Sequence, residues 1–140
     1  DGLAQRLLGQ VYLTLPAFSG GDPVRAIELL KQGLEISPDD IGMRRWLVEG
    51  YVSERENEAA LKEIDLATKV DPSKNNPQDY ADELRALAGL AMRAGSPELK
   101  EQLNAKRDQL LSNNPQINAR VSAASMGHGG FDPFTGEPIK

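Results

Sequence analysis

The chain has no cysteine. That removes disulfides, thiolate nucleophiles and cysteine-bearing metal sites, and it leaves the redox compartment open. Histidine is nearly absent too. The single copy, His128, stands in a glycine-rich run with no oriented nucleophile or carboxylate marked beside it, so it is read as non-catalytic and not as a metal ligand. No apolar run approaches the roughly 18 residues that would span a bilayer. Positive charge is in the minority, 16 Lys and Arg against 21 Asp and Glu for a formal net charge of -5. That balance argues against nucleic acid as the main partner, because a phosphate backbone calls for a basic face. Convincing strand alternation is also missing.

What is present describes one globular domain: 140 residues, 39% hydrophobic and 26% charged. The row begins at Asp1 and not at methionine, which fits a removed signal peptide and fits a trimmed start equally well.

The apolar residues recur with helical period. Leu3, Ala4, Leu7, Leu8, Val11, Tyr12 and Leu15 form a first stripe, expected to face the core and stopped by Pro16. Asp22-Pro23 is a start signal, an N-cap followed by proline at the first helical position. It opens a stripe of Ala26, Ile27, Leu29, Leu30, Leu34 and Ile36 that closes at Pro38. The intervening stretch is therefore the turn of a helical hairpin, with Gly20 and Gly21 supplying the bend. Asp39 or Asp40 caps a helix carrying Met43, Trp46, Leu47 and Tyr51, and Asn57 is the expected cap of the next, with Ala60, Leu61, Ile64, Ala67 and Val70. After Asp71-Pro72 and a polar loop come Tyr80, Leu84, Leu87, Ala88, Ala91 and Met92, ended by Gly95. Ser96-Pro97 starts Leu99, Leu103, Leu110 and Leu111, and Pro115 is placed at the start of a short capping helix with Ile117 and Val121. The domain is all-α over residues 1–125, followed by an extended tail over 126–140.

Three hairpins in a row raise the question of a repeat. Pro38 and Pro72 lie 34 residues apart, and between them fall Leu47, Tyr51, Ala60, Ile64 and Ala67. This pattern resembles the tetratricopeptide repeat. Ala60 and Ala67 are small enough to bring two helices close, while Leu47, Tyr51 and Ile64 fill the space around them. Residues 8–12, with Ala26, Leu30, Gly33 and Pro38, resemble the same unit with a turn about five residues longer, and the third hairpin is a degenerate copy, with Ala91 at the tyrosine position. The resemblance implies a right-handed α-α superhelix that binds protein without catalysis or cofactor. The first hairpin and its Leu15-Pro16 to Gly20-Gly21-Asp22 turn also resemble the tetratricopeptide-like T-component of bacterial TRAP-type transporters. That likeness implies a periplasmic accessory of transport. A related reading is an assembly factor of the cytochrome-biogenesis type.

The family resemblance further implies groove residues. An arginine stands six residues before the tyrosine position of each first helix: Arg6, Arg45 and Arg85. One turn on sit Gln10, Glu49 and Gly89. If all three guanidinium groups face one channel, they suit an acidic segment or a peptide C-terminus. The competing reading pairs them with Asp and Glu of the next hairpin, and Glu49 is placed to neutralise Arg45.

The tail carries glycines and prolines that exclude a helix, yet it holds Phe131, Phe134 and Ile139. Three placements are open to these side chains: folded back on the helices, held by another chain, or trailing. If a partner holds them, Phe131 and Phe134 are the anchors. Asp71, Ser73, Asn75, Asp79 and Asp82 have the spacing of a calcium loop, but Asn76 replaces its glycine and the closing Glu is missing, so they read as an interhelical loop. The resulting expectation is a non-catalytic interaction scaffold or accessory subunit with protein partners and no membrane span. Neither the partner's identity nor the oligomeric state is legible in the sequence.

Overall fold

A computed structural model describes residues 2–116. The capping helix expected beyond Pro115, and His128, Phe131, Phe134 and Ile139 of the tail, lie outside the described residues. Within them the chain forms six α-helices: α1 (Leu3–Thr14), α2 (Pro23–Ile36), α3 (Ile41–Ser53), α4 (Asn57–Ala67), α5 (Pro77–Arg93) and α6 (Pro97–Asn113). Short 3-10 turns at Ala17–Ser19 and Pro72–Lys74 lie in the longer connections, and no strand is present among the described residues.

Local chemistry sets most of the boundaries. Asp22 accepts from the Arg25 amide at 3.1 Å, Asp40 from Met43 at 3.0 Å and Ser96 from Leu99 at 3.3 Å, and Asn76 accepts from Gln78 and Asp79. Each cap satisfies a first-turn N–H that the helix itself leaves open. Proline occupies the first turn of α2, α5 and α6, where its missing N–H costs nothing. The start of α4 differs from expectation. Glu56 is its N-cap residue and makes no side-chain cap, and Asn57 is already inside the helix.

The turn after α1 is held by its own backbone. Leu15 is extended, as a residue before proline prefers. Gly20 takes φ 101°, and a Cβ on Gly21 would lie 2.0 Å from the Leu15 carbonyl oxygen, so both positions require glycine. Gly21 N–H donates to Pro16 O and Asp22 N–H to Tyr12 O, both at 2.9 Å, which delivers Asp22 to the start of α2.

Consecutive helices pack as antiparallel hairpins, and the first helices stack, α3 lying between α1 and α5. The core runs through Leu30, Met43, Leu47, Ile64, Tyr80, Leu84, Leu87 and Leu103, each at most 2% exposed. Ala60 and Ala67 are fully buried between α3 and α4. Successive hairpins are tied polar-to-polar at the repeat spacing. Asn75 accepts from the Ile41 amide at 3.2 Å and donates to Asp39 O at 2.7 Å, so this side chain of the interhelical loop is an inter-repeat strap.

The orientation of α1 overturns the first expectation. Leu7, Leu8 and Val11 are half exposed and Leu15 is 40% exposed, while Gly9 is the only buried residue of the helix. The seam with α2 is made by the other flank. Gly9 lies so close to Leu30 that a Cβ would sit 2.7 Å from its Cγ, and Gly2 approaches the Gly33 carbonyl in the same way. Leu13 packs on the core from this side. Backbone-close contact through glycines outcompetes the bulkier stripe, which points about 150° away round the helix.

Candidate functional site

The three first helices line a groove of about 420 Å³. Arg6 and Gln10 enter it from α1, Arg45 and Trp46 from α3 with Asp40 at its cap, and Asp79, Asp82 and Glu83 from α5. The period of the helix explains the α5 contribution, since positions i, i+3 and i+4 share one face. Asp40 serves twice. Its Oδ1 caps α3, and its Oδ2 lies 3.3 Å from Arg6 Nη1.

Arg45 is held from three sides. Its Nε donates to Glu83 Oε2 at 2.7 Å and its Nη2 to Oε1 at 3.3 Å, a bidentate pair. Glu49 stands 3.8 Å from Nη1, and the guanidinium carbon lies 4.0 Å from the Trp46 ring centroid. Arg6 Nε is buried without a hydrogen-bond partner among the described residues. Arg85 is exposed on α5 and does not line the groove, which corrects the expected row of three guanidinium groups. Its position falls roughly a third of a turn from the face of Asp79, Asp82 and Glu83.

The charge of the groove therefore runs opposite to the arginine row. Two guanidinium groups meet four carboxylates, and both guanidiniums are already paired within the chain. Asp79 and Asp82 form no ion pair among the described residues; Asp82 accepts from Gln78 Nε2 at 3.3 Å. Trp46 is the chain's one tryptophan, so the groove also holds its single indole.

A scan against protein families matches the tetratricopeptide repeat over residues 17–88. That span is just over half of the chain. The chain belongs to the tetratricopeptide repeat family. The matched span runs from the first turn into α5, leaving α1 and α6 outside it. No curated protein and no solved structure matches the chain.

Of the residues expected in the groove, Arg6, Gln10 and Arg45 line it together and Glu49 reaches it only through Arg45, whereas the α5 acids and Trp46 were not singled out from the sequence. One signal was available: Asp79, Asp82 and Glu83 at i, i+3 and i+4 mark an acidic face on a helix whose buried stripe lies elsewhere. The ion partners of Arg6 and Arg45 lie 34 and 38 residues downstream, which only the stacking of hairpins brings together.

The titratable groups that the fold shifts serve packing. Burial raises the Glu63 carboxyl above its ordinary value, opposed by the Arg44 guanidinium 2.7 Å away and by Lys31. Burial, with Asp71 nearby, pushes the Tyr80 hydroxyl up to about 12, and that hydroxyl donates to Val70 O at 2.9 Å. Lys106 donates to Thr68 O, and burial lowers its pKa. Asp71 is held low by the Ser73 amide. No group of three or more His, Cys, Asp or Glu residues could hold a metal ion among the described residues.

Proposed function

We propose that this tetratricopeptide protein is a non-catalytic scaffold whose groove holds an extended, basic or amide-rich segment of a partner protein. The excess of carboxylates over guanidiniums in the groove carries the reading. With Arg6 and Arg45 already neutralised from within, an acidic segment finds no free cation there. A Lys or Arg side chain meets Asp79 and Asp82 beside the stacked Arg45 and Trp46 side chains. Family membership supports a protein as the partner. Exposed carboxylates act over a Debye length of about 8 Å at physiological salt, so binding should weaken as salt rises.

Trp46 fluorescence tests this directly, because no other indole contributes. An extended Lys/Arg-bearing peptide should shift the emission. Its Glu-substituted counterpart should not, and Asp79→Asn with Asp82→Asn should abolish the response. Equal or stronger binding of the acidic peptide would sink the proposal. The role of exported transport accessory draws support only from the turn between Leu15 and Asp22; fractionation of the native host decides it.

A further inference from the structure

The outer face of α1 is an apolar surface that nothing in the described chain covers. Leu7, Leu8, Val11 and Leu15 are each 40% to 49% exposed, and Phe18 in the following turn is 91% exposed. Helical geometry puts Ala4, Leu7, Leu8, Val11 and Leu15 within an arc of about 100°. Together with Phe18 they open on the order of 500 Å² of apolar surface, the size at which a patch on a monomer becomes an interaction site. With a polar rim this approaches the roughly 800 Å² per partner of a standard interface.

From the geometry we infer that this face pairs with the same face of a second copy, α1 against α1 about a twofold axis. Two observations favour a second copy over an unlike chain. The spacing Ala4, Leu8, Val11 and Leu15 is the four-three-four step of a helix-pairing seam, and such a seam is complementary to itself. The face carries no charge. The single charged residue of α1, Arg6, points to the groove and is tied to Asp40, so a partner with a charged docking stripe gains nothing here. Arg6 and Gln10 lie on a different side of α1, so the pairing leaves the groove open and stands whether or not a basic segment binds there.

Light scattering after gel filtration of the 140-residue chain tests the pairing, with Leu8→Glu and Val11→Glu beside the wild type. The wild type should run at about twice 15.2 kDa and dissociate on dilution. Either glutamate, placed at the centre of the seam, should raise the dissociation constant about 30-fold or more. Both positions are already half exposed, so circular dichroism should stay unchanged. Mixing Leu8→Glu with Leu8→Lys should restore the doubled mass, which a folding defect would not do. A wild type that keeps the single-chain mass at every concentration, leaving the face to an unlike partner, overturns the inference. So does a doubled mass that survives both glutamates.

Discussion

The first and third hairpins solve the same problem in opposite ways. In α5, Tyr80, Ala81, Leu84, Leu87, Ala88, Leu90 and Ala91 are buried, and the acids Asp79 and Asp82 stand outside. In α1 only Gly9 is buried; Leu7, Leu8 and Val11 stand outside, and Leu13 alone of the leucines packs on the core. In α6, Glu98, Glu101 and Asp108 are exposed in the same way. The exposed face of α1 is apolar instead. Periodicity alone therefore does not say which way a helix turns. The side that lets backbones approach most closely, or that fills most space, goes inward.

The sharpest way to break the comparison is to truncate one leucine in each hairpin. Leu87→Ala should destabilise the fold by about 2–5 kcal/mol, because it leaves a cavity in a fully buried site. Leu8→Ala, at concentrations that hold the chain single, should stay within about 0.5 kcal/mol. Chemical denaturation of both variants measures the contrast, and equal losses would show that α1 buries its stripe in solution.

Next in size is Gly9→Ala. Its methyl would meet the Leu30 side chain at 2.7 Å, and Leu30 is wholly buried, so overpacking should cost about 1–3 kcal/mol and loosen α1 first. Amide exchange along α1 reads this out.

In the third hairpin, Tyr80→Phe removes the bond to Val70 O, a loss of about 1 kcal/mol at neutral pH. The pH dependence has a definite sign. The folded chain keeps the Tyr80 proton up to about 12, whereas the unfolded chain releases it near 10.0, so this contribution to stability falls as pH rises between those values. Lys106 works the other way. Its folded pKa lies below 10.5, so its contribution rises with pH up to that value. Denaturation from pH 9 to 12 of wild type, Tyr80→Phe and Lys106→Met separates the two slopes.

The smallest effect is expected from Glu63→Gln. The carboxyl of Glu63 titrates above its ordinary 4.5 in the folded chain, so its contribution falls as pH rises upward from that value, and the amide removes this slope. Denaturation midpoints across mildly acidic pH measure the difference.

Much of the fold was legible because its punctuation is local. Asp22-Pro23 and Ser96-Pro97 announce helices through groups they satisfy themselves, and Gly20-Gly21 marks a bend only glycine can make. Asn57 misled, since an asparagine inside the first turn has the same composition as one at the cap. The groove was half legible. The arginines could be found by offset, whereas their partners Asp40 and Glu83 depend on how far one hairpin is shifted against the next. Arg85 shares the offset of the others yet lies off the shared face.

What the chain order alone determined is the six helices of the described residues, most of their ends and the 34-residue step, since each follows from capping, proline and periodicity within a few residues. Tertiary structure decided which flank of α1 turns inward and what charge the groove carries. Both are outcomes of competition between surfaces distant in sequence: glycine against leucine for contact with α2, and the arginines of one hairpin for the carboxylates of the next.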